Sequence, residues 1–211
     1  MVKGKETKTS IIEVGLEMAS RIGLESVTIG NLAKEMGMSK SGLFAHFQSK
    51  ENLQIAILDY AAEDFSQDVI YPALKTERGI PRIRKLVDNW IVWSYKYPGG
   101  CIFVSAGTEY SDRPGRVRDC LMRQQEQWLD CLHRVAESAI KAGDFRKDID
   151  SSQFAFDLYS LILGFYYYYK LLNDATSKQR QETALVRLLD NYRPQKKTGI
   201  KTTPALKTIS K

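Results

Sequence analysis

Long apolar runs are missing from this 211-residue chain: no stretch of about 18 or more hydrophobic residues occurs, the length a helix needs to cross a bilayer. No membrane span is expected. The basic start, MVKGKETK, leads into an amphipathic pattern rather than the apolar block of a signal peptide, so a cytosolic protein is expected. Cysteine is scarce. Cys101, Cys120 and Cys131 have no C-x-x-C spacing of the kind a zinc site or redox dithiol uses, and reduced structural thiols are expected. Of two histidines, His133 sits beside Cys131 without a second histidine or a matched carboxylate pair, so no metal site is expected. No nucleophile motif, phosphate loop or metal spacing appears, which leaves no catalytic residue to name, no enzyme activity and no cofactor.

Charge is also less abundant than the total suggests. The formal +6 is concentrated after Arg193, where Lys196, Lys197, Lys201, Lys207 and Lys211 stand without any acid; up to and including Arg193, 26 basic residues face 25 acidic ones. Bulk charge is therefore poor evidence for nucleic-acid binding, and local arrangement must carry that argument.

What is present is helical periodicity. Ile12, Gly15, Leu16 and Ala19 form one face of a first helix over about Ser10 to Ile22, which Gly23 stops. Ile29, Leu32, Ala33 and Met36 form the inward stripe of a second, capped by Thr28 and stopped at Gly37. Ser39 caps a third, running to about His46. Ser49 caps a long fourth reaching Ile70, with Pro72 marking a break. Further helices are expected at about 81–97, 101–110, 115–142, 151–173 and 177–192, punctuated by Pro81, Pro98-Gly99-Gly100, Pro114-Gly115 and Gly143-Asp144. No segment alternates as a strand. The fold class is all-α, about nine helices, with a head over 1–53, a larger helical domain over 54–193, and a disordered basic tail over 194–211 whose Lys, Thr, Pro and Gly offset no ordering entropy.

Two short helices joined by a tight glycine turn are the geometry that lays the second in a major groove. In TIGNLAKEMGMSKSGLFAHF, Leu43 and Phe47 turn the second helix inward, leaving Lys40, Ser41, Gly42, Phe44 and His46 outward. Lys40 suits guanine or phosphate, Ser41 either, and Gly42 a close backbone approach. Spacing alone is equally compatible with a plain helical hairpin with a solvated face, and the lysines of the N-terminal arm, Lys3, Lys5 and Lys8, with either a phosphate track or a soluble tail.

The register of Ile11-Ile12, Gly23, Thr28-Ile29, Leu32-Ala33, Gly37-Met38-Ser39, Leu43-Phe44-Ala45-His46-Phe47 and Ser49-Lys50-Glu51-Asn52-Leu53 resembles the N-terminal domain of the tetracycline-repressor (TetR) family of bacterial regulators. The resemblance implies a transcriptional regulator, usually a repressor, that binds a near-palindromic operator in double-stranded DNA as a homodimer and responds to a small-molecule effector. It implies DNA contacts at Thr28, Ser39, Lys40, Ser41, Gly42, Phe44, His46 and Lys50, and dimerisation through the last two helices. Phe44 departs from the family, which usually has a tyrosine there.

Beyond residue 54 the resemblance is partial, carried by Pro98-Gly99-Gly100-Cys101 and Glu109 to Arg118. Trp90, Trp93, Tyr97, Cys101, Phe103, Trp128 and Tyr159 are candidates for lining an effector cavity, and equally the aromatics any helical bundle of this size packs in its core. Phe154 to Leu172, the most apolar segment, exceeds one helix face; with Leu185, Val186, Leu188 and Leu189 it is expected to double into a four-helix bundle across a two-fold axis. Two rivals stay open: a transcriptional activator, and a helical adaptor that binds protein partners without a small molecule.

Overall fold

A computed structural model describes residues 2–194, with side chains from Thr7 onward. The basic tail and the side chains of Lys3 and Lys5 lie outside the described residues. Every element among them is helical: α1 Val2–Ile22, α2 Ile29–Glu35, α3 Lys40–Phe47, α4 Lys50–Phe65, α5 Tyr71–Leu74, α6 Ile80–Ser94, α7 Ile102–Tyr110, α8 Arg116–Ala142, α9 Ser151–Lys170 and α10 Ser177–Tyr192. The first helix starts eight residues before the expected Ser10, because residues 2–9 hold no proline and one glycine, and nothing halts propagation backwards from Ser10.

The fourth helix departs from expectation at its far end. Pro72 does not break it; α4 continues through a π-helical turn, Ser66–Ile70, directly into α5. A proline lacks the N–H and its ring crowds the carbonyl four residues back. The wider π turn, in which Tyr71 N–H reaches Ser66 O, makes room for that ring and carries the rod on to Leu74.

The head is built by caps and one small core. Thr28 Oγ1 accepts from Asn31 N–H at 3.1 Å while Asn31 Oδ1 accepts from Thr28 N–H at 2.7 Å, a reciprocal cap on α2. At the other end Gly37, at φ +65°, donates to Lys34 O, and Met38 to Ala33 O, closing α2 in a left-handed turn that a side chain with a Cβ resists. Ser39 and Ser49 cap α3 and α4 through the amides of Gly42 and Asn52. Each such cap is worth about 1 kcal/mol. Ile11, Leu16, Leu32, Leu43, Phe47, Leu53 and Ile57 then close the head's interior, where each buried aliphatic or phenyl group contributes about 1.5–3 kcal/mol.

The larger body stacks α8 against α9 and α9 against α10, with α4 running along α8. Phe65, at the end of α4, meets Trp93 and Trp128 edge-on at 5.0 Å and Phe103 at 6.0 Å, so one ring ties α4, α6, α7 and α8 together. Phe145, Phe154 and Tyr192 pin the end of α10 onto α9. Leu185 and Leu189, expected on a dimer face, are instead buried in this core, since their side of α10 is the one that packs on α9; Val186 is exposed and Leu188 half-buried.

Head and body touch directly as well as through α4. Gly99 N–H donates to Ser20 Oγ at 3.2 Å, and a Cβ at residue 99 would lie 1.4 Å from Ser20 O. Glu109 Oε2 accepts the amide of Glu25 at 2.8 Å, Tyr110 hydroxyl donates to Glu25 Oε2 at 2.7 Å, and Arg116 reaches Glu51 at 3.0 Å. Both stretches of the second half that stood out in the sequence, 98–101 and 109–118, thus belong in part to this joint.

Candidate nucleic-acid interface and ligand cavity

The outward face of α3 follows from what the helix buries. Leu43 and Phe47 point inward, so Ser39, Lys40, Ser41 and Phe44 are exposed and Gly42 and His46 half-exposed along the opposite side. Phe44, an aromatic ring 51% exposed, has no place in the head's core. Ser39 Oγ accepts from Gly42 N–H at 3.1 Å and lies 3.3 Å from Ser41 Oγ, which fixes the first turn of the helix. Lys8 Nζ stands 5.5 Å from the centre of the Phe47 ring, placing α1's basic edge beside α3.

Two of the expected contact residues have polar atoms already engaged within the chain. Thr28 Oγ1 is occupied by its own cap. Lys50 Nζ pairs with Glu25 Oε1 at 2.7 Å, and a phosphate would have to draw it from that pair. The Lys50 and Tyr110 hydrogen bonds hold the Glu25 carboxyl below its ordinary range against the opposing effect of burial.

In the body, a small cavity of about 70 Å³ opens between α4, its π turn, α6, α7, α8 and α9. Of the seven residues expected there, Trp90, Cys101, Phe103, Trp128 and Tyr159 line it. Trp93 and Tyr97 do not. Their polar tips turn to Asp64, whose carboxylate accepts from Trp93 Nε1 at 3.3 Å and Tyr97 hydroxyl at 3.0 Å, so the α6 stripe is split between cavity wall and structural network. Sequence reading missed the contribution of α4 and its π turn, Phe65, Ser66 and Ile70, and the glutamines Gln124 and Gln125 of α8. The Pro72 that distorts the helix was the available signal for the first. Burial pushes the Cys101 thiol and the Tyr159 phenol up to about 12, so both stay protonated across the physiological range.

The head matches the model of the bacterial regulatory proteins of the tetR family over residues 11–57, and the body matches the tetracyclin repressor-like C-terminal domain over residues 79–185. The chain belongs to the TetR family. It is a DNA-binding transcriptional regulator, in a family whose members are regulators and not enzymes. The HTH-type transcriptional regulator QacR of Staphylococcus aureus is 21% identical over 138 residues, 65% of this chain and 73% of that protein. A TetR regulator from Chloroflexus aurantiacus superposes with a TM-score of 0.79 at 22% identity, over 90% of this chain and 96% of the other. AibR, solved in complex with isovaleryl coenzyme A and operator DNA, superposes with a TM-score of 0.70 at 20% identity, over 86% and 97%. No helix among the described residues of this TetR-family chain is long and apolar enough to cross a membrane.

Proposed function

We propose that the chain acts as a homodimeric repressor, its head (1–53) reading a near-palindromic operator through α3 and its body (54–193) releasing that operator when a small molecule enters the cavity. The carrying observation is the reach of α4. Its first residue, Lys50, is separated from α3 by only Gln48 and Ser49, and its far end, with the π turn, supplies Ala62, Phe65, Ser66 and Ile70 to the cavity wall. A ligand that displaces this wall moves the head it is joined to, and it shifts DNA affinity by its differential affinity for the two arrangements; coupling of about 1–3 kcal/mol weakens operator binding roughly 5- to 150-fold. AibR, with both an acyl-coenzyme A and operator DNA in its crystal, is a precedent for a relative carrying two such sites.

A surface suited to a two-fold partner supports the dimer. Phe156 and Tyr167 on α9 and Leu171 at its C-cap are 65%, 54% and 64% exposed, and the space above Gly164 is open. Apolar groups at that density on a free face point to burial against another chain. Two heads related by this axis read half-sites about 34–36 Å apart, or a multiple of it.

The test is fluorescence anisotropy on genomic DNA fragments at physiological salt, combined with sedimentation equilibrium. Sequence-preferring binding by a dimer, abolished when Lys40 and Ser41 are both replaced by alanine, is the expected result. Binding without sequence preference, or binding that survives the double substitution, removes the regulator reading of α3.

A further inference from the structure

The Glu25 carboxylate is shared between head and body. It sits in the turn between α1 and α2, where its Oε1 accepts from Lys50 Nζ at 2.7 Å and stands 3.6 Å from Arg113 Nη1, while its Oε2 accepts from Tyr110 hydroxyl at 2.7 Å. Lys50 belongs to the head; Arg113 and Tyr110 belong to the body. Two cations, one from each side of the joint, thus approach a single oxygen. The acid next to Lys50 is not divided in this way: Glu51 Oε2 pairs with Arg116 Nη1 of the body at 3.0 Å, and the same nitrogen donates to Asn52 Oδ1 at 3.1 Å.

Lys50 also stands near the edge of the DNA-facing helix. Only Gln48 and Ser49 separate it from α3, which has eight residues and is about 12 Å long. A major groove is about 12 Å wide and is bordered by a phosphate strand on either side, so the residues just past the end of a helix seated in it fall at that rim. In the free protein Glu25 cancels the Lys50 charge. The pair is weak enough for DNA to open, because both side chains are about 40% exposed and water screens a pair so placed. A phosphate gives Lys50 a new counter-charge, and Arg113 stays beside Glu25 Oε1, so neither group is left without one.

We propose that Glu25 competes with the DNA phosphate for Lys50: in the free protein it masks that lysine, and on DNA Lys50 crosses to the phosphate while Arg113 keeps Glu25 on the body. This rests on the reading of α3 as the operator-binding helix, and it adds a residue that sets operator affinity without touching DNA. The transfer also has a direction. Tyr110 ends α7 and Arg113 follows it by three residues, while α7 begins at the cavity with Phe103 and Val104. A movement of α7 that takes Arg113 off Glu25 leaves the carboxylate to Lys50, strengthens the mask and lowers DNA affinity.

The test is fluorescence anisotropy of the full-length protein at physiological salt, on the tightest-binding genomic fragment and on a scrambled duplex of equal length. Glu25→Gln keeps an oxygen for the Tyr110 hydroxyl but removes the charge. It is expected to tighten binding about two- to five-fold per head on both duplexes, since a phosphate carries no sequence. Arg113→Gln is expected to weaken binding about two-fold per head. Lys50→Gln is expected to weaken binding by itself and to erase the effects of the other two substitutions when combined with either. A direct contact of Arg113 with DNA, or a through-space effect of the Glu25 charge, persists beside Lys50→Gln and overturns the proposal. So does a Glu25→Gln protein that binds no tighter than wild type, or a Lys50→Gln protein that binds as well. Circular dichroism checks that each variant folds; the Arg113 series, with and without Lys50→Gln, leaves Glu25 in place and decides the matter if Glu25→Gln does not fold. Absence of sequence preference with the Glu25 effect present on both duplexes refutes base reading by α3 and leaves the competition standing. Sequence preference without the Glu25 effect does the reverse, and wild-type protein that binds neither duplex refutes both.

Discussion

Tyr110 of the body and Glu25 of the head share one hydrogen bond of 2.7 Å, and the carboxylate that accepts it also holds Lys50, the first residue of α4, at 2.7 Å. Glu25 therefore binds the two routes between cavity and head to one another. α7 begins at the cavity with Phe103 and Val104 and ends at Tyr110, while α4 begins beside Glu25 and ends at the cavity. A ligand that moves either wall acts on the same carboxylate. Replacing Tyr110 with phenylalanine is expected to lower stability by about 1 kcal/mol, less than the roughly 1.5–3 kcal/mol of a charged hydrogen bond because the Glu25 side chain is 40% exposed and screened by solvent. The more telling change is a smaller release of operator by effector at unchanged effector affinity, measured by anisotropy and calorimetry side by side.

The same group sets an acid dependence. Hydrogen bonds from Lys50 and then Tyr110 depress the Glu25 carboxyl below its ordinary 4.5 in the folded protein. A depressed carboxyl contributes stability that is complete above that ordinary value and is lost as pH falls through the lower, folded one. Thermal melts from pH 7 down to pH 3 are expected to show a drop beginning below about pH 4.5 that is shallower in Glu25→Gln, which has no proton to take up. Equal slopes would assign acid sensitivity to other carboxylates.

Gly99 is held where no other residue fits. A Cβ there would fall 1.4 Å from Ser20 O and 2.6 Å from Arg21 N, both main-chain atoms that cannot rotate away. Gly99→Ala must push the 98–101 loop off α1, and overpacking of this kind costs about 1–3 kcal/mol. For a chain of this size that is a fall in Tm of roughly 2–12 °C. The head–body spacing changes with it, so operator affinity is expected to shift too. A variant with wild-type melting would show that the loop does not seat the head.

The pattern of success and failure in reading the sequence has a physical source. Helix stripes such as Ile12, Leu16, Ala19 and turns such as Gly37-Met38 are local, and local chemistry determines them; hence the head was legible nearly residue by residue. The exposed set on α3 followed once Leu43 and Phe47 were recognised as inward. The cavity was legible only by residue type. Trp90 and Trp93 are three apart on one helix and look equivalent, yet one lines the cavity and the other donates to Asp64, a choice made by the position of α4. The π turn was hidden because Pro72 reads as a stop, and only the packing of Val69 and Ala73 in the core compels the helix to continue past it. Leu185 and Leu189 were misplaced for the same reason: an apolar stripe on α10 does not say whether it faces its own chain or another.

Gln48 ends α3 in a left-handed conformation, φ +66°, with its amide on Phe44 O at 2.7 Å. A side chain with a Cβ resists this by roughly 1–2 kcal/mol, which glycine avoids while giving back part of it as greater freedom in the unfolded chain. Gln48→Gly is expected to stabilise the protein by about 0.5–1 kcal/mol, read as a higher denaturant midpoint at unchanged slope. A lower midpoint would mean that the Gln48 side chain makes a contribution larger than the strain it carries.

Phe44 offers a gain rather than a loss. Its ring stands half exposed on the outward side of α3 with no polar atom, at the position where the family's usual tyrosine presents a hydroxyl. Phe44→Tyr adds that donor without changing the helix, whose inward contacts run through Leu43 and Phe47. One hydrogen bond to phosphate is worth about 0.5–1.5 kcal/mol, so operator binding is expected to tighten roughly two- to ten-fold per head. The gain is expected on specific and non-specific DNA alike, because a phosphate carries no sequence. Lys40→Ala is the contrasting change. Removing one cation per head is expected to weaken binding and to flatten the dependence of log affinity on log salt by about one unit per head, if Lys40 answers a phosphate. A Lys40 that reads a guanine instead leaves that slope nearly unchanged and relaxes preference at one base pair of each half-site. Anisotropy across a salt series, run on the operator and on a scrambled duplex, distinguishes these outcomes and so assigns backbone contact or base readout to the first residue of α3.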